Sequence, residues 1–177
     1  MRNKWIKRFF PLIALLLLAP WPVAYAHDVS DGVVGEEAVG IEVADPSVAP
    51  SFGNVFGRTI GGVTPGDLFY LDTTDNPADI RTTLYITNTQ ELSHCYRYLI
   101  LKVGVYVETD AGEWEQASMG NGELIPDTFI TMRNGQVGFS LPGLAKYKIT
   151  IDSGSFYCIN AVADGGSVSP QLYLEVD

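Results

Sequence analysis

From Tyr96 to Glu108 the chain alternates between two kinds of side chain. Leu99, Leu101, Val103, Val105 and Val107 hold the odd positions; Tyr98, Ile100, Lys102, Gly104 and Tyr106 hold the even ones. Period-two alternation sustained this long predicts a β-strand with one face against a core and the other toward solvent. Such a strand does not stand alone. It needs partners along its edges and a second layer over its apolar face.

The rest of the chain reads as a supply of such partners. Strand signals cover Arg58–Val63, Leu68–Asp72, Ile80–Thr87, Glu113–Ala117, Thr128–Met132 and Gln136–Leu141. Thr82, Leu84 and Ile86 share one face, as do Val137, Phe139 and Leu141, and Trp114 is expected on an apolar face. Turn chemistry separates these runs: Thr64-Pro65-Gly66-Asp67, Asp110-Ala111-Gly112, Asn121-Gly122 and Asn134-Gly135. The two Asn-Gly pairs are expected to close hairpins. Asp152-Ser153-Gly154 is expected to turn the chain between a strand at Tyr147–Ile151 and another starting at Phe156, and Leu172–Val176 closes the fold. Helix signals are almost absent; Asn88–His94 is a connector or one helical turn. About nine or ten short strands with turn signals every ~8–12 residues predict an all-β antiparallel sandwich.

The N-terminus reads as an address. Arg2, Lys4, Lys7 and Arg8 precede an apolar run from Phe9 to Ala19, shorter than the ~20 residues a membrane-spanning helix needs. Ala24-Tyr25-Ala26 has the small-x-small form of a signal-peptidase site, so residues 1–26 are expected to be cleaved and the protein secreted, to the periplasm or outside the cell, with no membrane anchor. Residues 27–50 form an acidic, flexible segment, and 51–177 form the sandwich domain. Four of the eleven Lys and Arg and none of the 21 Asp and Glu precede His27, leaving seven against 21 and a formal charge of −14. That charge argues against nucleic acid and anionic lipid as partners. Cys95 and Cys158 are the two cysteines. In an oxidising compartment an even pair predicts a disulfide, which would contribute roughly 4 kcal/mol in the chain-entropy model.

The run Asp152-Ser153-Gly154-Ser155-Phe156-Tyr157-Cys158 resembles the D-x-A/G-x-Y-x-C run that leads into the second core cysteine of immunoglobulin-type domains, with Phe156 where those domains place tyrosine. The resemblance implies an immunoglobulin-like sandwich whose final strand is Gln171–Val176. Fold analogy of this kind carries no function.

Three constellations could carry chemistry. Cleavage after Ala26 would make His27 N-terminal; its amine and imidazole, with His94, resemble the copper-binding histidine brace of lytic polysaccharide monooxygenases and small periplasmic copper carriers. Asp72, Asp75 and Asp79 share a loop with Asn76 and offer oxygens to calcium, without EF-hand spacing. Tyr98 and Tyr106 lie on the outer face of the long strand, a possible binding face for a carbohydrate or a protein. No nucleophile motif and no phosphate loop is present. The expectation is a secreted, non-enzymatic module with a structural or ligand-binding role at the cell surface or in the periplasm; the alternative is a copper protein built on His27 and His94.

Overall fold

An alternating strand needs a second layer, and this chain provides it with a second sheet. The computed structural model describes residues 39–52, 58–159 and 168–177, and the backbone of a strand at Ala24–Asp28. Its elements run β1 (Ala24–Asp28), β2 (Gly40–Val43), β3 (Thr59–Val63), β4 (Gly66–Asp72), β5 (Ile80–Ile86), α1 (Thr89–Cys95), β6 (Tyr96–Glu108), β7 (Trp114–Gln116), β8 (Thr128–Thr131), β9 (Gln136–Leu141), β10 (Lys146–Cys158) and β11 (Leu172–Val176). One sheet has the order β1-β11-β5-β9. The other runs β2-β4-β10-β6-β7, with β3 extending β10 beyond β4 and β8 extending β6 beyond β7. The pairings are antiparallel except β1 with β11.

The core lies between the sheets. Leu84, Leu141 and Leu174 from the four-stranded sheet meet Phe69, Leu101, Ile149 and Ile151 from the seven-stranded one, all fully buried. Each contributes about 1.5–3 kcal/mol relative to exposure. The alternation of β6 is realised: Leu99, Leu101, Val103 and Val105 are buried, while Tyr98, Lys102 and Tyr106 keep partial exposure on the opposite face. Asn88 ties the last strand to the body, donating through Nδ2 to the Ser169 carbonyl and accepting from the Gln171 N–H. No helix among the described residues is long and apolar enough to cross a membrane.

Two local expectations are corrected. Asp152-Ser153-Gly154 does not turn the chain; β10 runs unbroken from Lys146 to Cys158. Asp152 instead sits where the register with β6 slips, between Ile151 opposite Val103 and Ser153 opposite Lys102, which makes a β-bulge. There β10 also changes partner on its other edge, from β4 (Ile151 opposite Gly66) to β3 (Gly154 opposite Val63). Gly154 allows the close approach: a Cβ on it would lie 2.9 Å from both Leu101 Cδ2 and Val63 Cγ2. Asn134-Gly135 likewise does not close a hairpin. β8 pairs with β6 and β9 with β5, so this turn hands the chain from one sheet to the other. Gly135 takes a positive φ of 65°, and the Asn134 side chain accepts from the Thr131 N–H and donates to the Phe129 carbonyl.

The expected disulfide is a third correction. Cys95 and Cys158 are both buried, and no disulfide joins them. The slip between Tyr157 and Cys158 sets Cys158 opposite Tyr96, and the Cys95 carbonyl accepts from the Ile159 N–H. The two cysteines therefore lie at one end of a single sheet, with Cys95 still in the last turn of α1, and they do not tie one layer to the other. Burial pushes the Cys95 thiol above its ordinary pKa, and neighbouring Cys158 pushes it further. A protonated, buried thiol is a poor nucleophile. The intact protein should resist a thiol reagent, and after denaturation without reductant both cysteines should react. Denatured protein with no reactive thiol would mean that the cross-link exists after all.

At the N-terminal side, Val39 and Ala44 are buried, and a Cβ on Gly66 would collide with the backbone of residues 48–50. β1 straddles the expected cleavage point after Ala26. The rest of the expected signal sequence lies outside the described residues, as does the side chain of His27.

Candidate ligand-binding face

The pleat that buries Ile149 and Val105 turns their chain neighbours outward. Register then lines those neighbours up. Glu42 of β2 is opposite Tyr70 of β4, Tyr70 opposite Lys148 of β10, Lys148 opposite Tyr106 of β6, and Tyr106 opposite Gln116 of β7. Five strands distant in sequence thus place five side chains in one row across the outer face of the large sheet. In the next row Asp72 is opposite Lys146, and Glu108 opposite Trp114.

The row is held by its own charges. The Tyr70 hydroxyl donates to Asp67 Oδ2 at 2.7 Å, and Lys148 Nζ lies 3.5 Å from Asp67 Oδ1. Tyr70 and Trp114 start about 16 Å apart, three strand spacings of ~4.8 Å across the sheet and two residues of ~3.3 Å along it. They lean together until their ring centroids are 6.1 Å apart. Lys148 lies against this arch, its Nζ 5.1 Å from the Trp114 centroid and 5.8 Å from that of Tyr106, within cation–π range. Beside the arch runs a groove of about 360 Å³ lined by Glu42, Tyr70, Asp72, Glu108, Trp114 and Lys146.

Burial, followed by the bond to Asp67 and its charge, pushes the Tyr70 phenol up to about 12. The folded pKa exceeds the unfolded value of ~10, so this contribution to stability is complete below pH ~10 and is lost as pH rises through about 12. Phenolate absorbance should show late-titrating tyrosines, the one near 12 moving to lower pH in Asp67→Asn. Ionisation of every tyrosine together near pH ~10 would contradict the arrangement.

A second compartment adjoins the row on the Tyr106 side. It is a pocket of about 90 Å³ lined by Lys102, Gly104, Tyr106, Gln116, Asp127 and Asp152. The bulge lets the Asp152 side chain fold back over Gly104. Tyr106 OH donates to Asp152 Oδ2 at 3.0 Å, and Thr150 Oγ1 donates to Oδ1 at 2.6 Å. Burial and this bond raise the Tyr106 phenol above its ordinary pKa. Lys102 Nζ is 2.7 Å from Asp127 Oδ1, and Gln116 Nε2 donates to the Ile125 carbonyl.

Of the residues singled out from sequence, Tyr106 falls inside this site. Tyr98 lies eight residues further along β6, about 26 Å at ~3.3 Å per residue. Its ring packs near Tyr157 with centroids 6.4 Å apart, close to exposed Ile60 and Ile100. Trp114, expected on the core side, is on the outer face instead, and the three residues of β7 carry too little periodicity to show it. The possible calcium ligands do not converge. Asp72 accepts from Thr74 and lies 3.9 Å from Lys146, while the Asp79 carboxylate sits against Gly120. Bonds from Thr74 hold Asp72 below its usual pKa. His94 is exposed in α1. Register places His27 level with Glu175 and Thr83, about 10 Å short of the Ile86 end of β5, beyond which α1 begins. No group of three or more His, Cys, Asp or Glu among the described residues is placed to hold a metal. Tyr70, Trp114, Lys148 and Asp152 carried no sequence signal as a set.

No protein-family model matches this chain, and no curated protein matches it in sequence.

Proposed function

We propose that this protein is an exported, non-enzymatic β-sandwich module that holds a ligand on the outer face of its seven-stranded sheet, at the cell surface or in the periplasm. The observation that carries the reading is the Tyr70–Lys148–Tyr106 row under the Trp114 arch. It is a solvent-facing aromatic and polar array whose side chains are fixed by bonds to one another. Pre-ordered side chains of this kind lower the entropy cost of binding. The signal-like N-terminus supports export, with His27 as the first residue after cleavage. An immunoglobulin-like form of the sandwich, proposed on the Asp152–Cys158 run, bears on architecture and not on this role.

The test is retention. The wild-type protein should remain with the washed envelope of the producing cells, and Trp114→Ala combined with Lys148→Met should release most of it, with the unfolding midpoint little changed. Retention indifferent to these substitutions would remove the face from the function.

A further inference from the structure

The two compartments of the outer face narrow the ligand by elimination. Each lysine of this face is held by a carboxylate: Lys146 by Asp72, Lys148 by Asp67 and Lys102 by Asp127. Glu42, Glu108 and Asp152 form no salt bridge among the described residues. An anionic ligand would therefore meet an excess of negative charge. A cationic ligand would seek the aromatic rings, but the Lys148 ammonium already occupies cation–π positions at Trp114 and Tyr106. A purely apolar ligand would strip water from Asp152, Gln116 and the Lys102–Asp127 pair without replacing its hydrogen bonds.

A neutral, hydroxyl-rich molecule with apolar C–H faces satisfies both compartments. Its C–H faces suit the rings of Tyr70 and Trp114. Its hydroxyls suit the pocket: each Asp152 oxygen accepts one protein hydroxyl and retains a second lone pair, and Gln116, whose Nε2 is committed to Ile125, keeps Oε1 as an acceptor. From the Glu108 row to the Lys102 row is six residues of β6, about 20 Å at ~3.3 Å per residue, so the ligand is a chain and not a single ring.

We propose that the Trp114–Tyr70 groove and the Asp152 pocket are adjoining subsites for a neutral oligosaccharide, with the groove stacking one sugar and the pocket reading the hydroxyls of another further along the same chain. This rests on the reading of the outer face as the binding surface. The experiment is affinity electrophoresis of the full chain through gels containing hydroxyethylcellulose, xylan, galactomannan or dextran, with polygalacturonate as the acidic counterpart.

At least one neutral polymer should retard the wild type. Trp114→Ala and Asp152→Asn should each weaken retardation about tenfold or more, since a site built to hydrogen-bond its ligand suffers when one of its own groups is changed. The exposed Gln116→Ala, which leaves the core untouched, should weaken it in the same direction. Polygalacturonate should have no effect. Retardation that survives all three substitutions, or that is as strong in polygalacturonate, would overturn the assignment. If no neutral polymer retards the protein while envelope retention still depends on Trp114 and Lys148, the sugar assignment fails and the binding face stands. If retention is also indifferent, both fail.

Discussion

Phe156→Ala is expected to lower the unfolding free energy by about 3–5 kcal/mol, a large share of what a domain of this size possesses. Phe156 is 2% exposed. Its ring meets Tyr96 edge-on with centroids 5.6 Å apart and Phe52 at 6.3 Å. The opposing strand makes room for it. Gly61 sits opposite Phe156 in β3, and a Cβ there would lie 2.4 Å from the ring. Truncation would leave a cavity between rigid strands that cannot close over it. Urea unfolding of wild type and variant measures the difference. A loss below about 1 kcal/mol would mean that the ring is not the packing centre of this end of the sandwich.

The second large effect is at Gly104. This glycine is buried on β6, and a Cβ added to it would lie 2.4 Å from Asp152 Oδ1 and 2.5 Å from Thr150 Oγ1. Gly104→Ala should therefore evict the Asp152 carboxylate from its place. Eviction breaks the bonds from Tyr106 and Thr150 and leaves the buried Thr150 hydroxyl without its acceptor, a cost of about 1–3 kcal/mol. The Asp152 pocket should lose its ligand contacts with it. A double-mutant cycle identifies the cause: in an Asp152→Ala background, Gly104→Ala should cost less, because the clash with the carboxylate and the bonds to it are already gone and only the contact with Thr150 Oγ1 remains. Equal costs in both backgrounds would show that the bulge does not hold the carboxylate over Gly104.

Much of this architecture was legible from residue pattern. The alternation of β5, β6 and β9 gave their buried faces, because a two-residue period survives in sequence wherever one sheet face meets a core. Turn chemistry was less informative than it looked. Asp152-Ser153-Gly154 has the composition of a turn, yet the tertiary environment uses it for a bulge and a close approach of three strands. Asn134-Gly135 does mark a turn, but nothing local says which sheet receives the next strand. A cysteine pair in sequence says nothing of register, and register here sets Cys158 opposite Tyr96.

The candidate site was almost invisible for the same reason. Tyr106 could be placed outward from the alternation of β6. Its partners Tyr70, Lys148 and Trp114 come from three other strands, and only the pairing of β4, β10, β6 and β7 brings them together. The Asp152 carboxylate joins them through a bulge, which moves one residue out of the regular period. A sequence shows which way each strand faces. It does not show which rows align when the strands are assembled.

The central claim is that the ligand covers the outer face at the Trp114 arch. Of the three tryptophans, Trp5 and Trp21 precede the proposed cleavage point after Ala26, so the exported protein carries Trp114 as its one tryptophan. Acrylamide quenching of its emission should be compared for the protein free in solution and bound to washed envelope, with the emission of envelope lacking the protein subtracted. We expect quenching to fall several-fold on binding, as the ring is shielded from solvent. Unchanged quenching while the protein is demonstrably bound would place the ligand elsewhere and contradict the account.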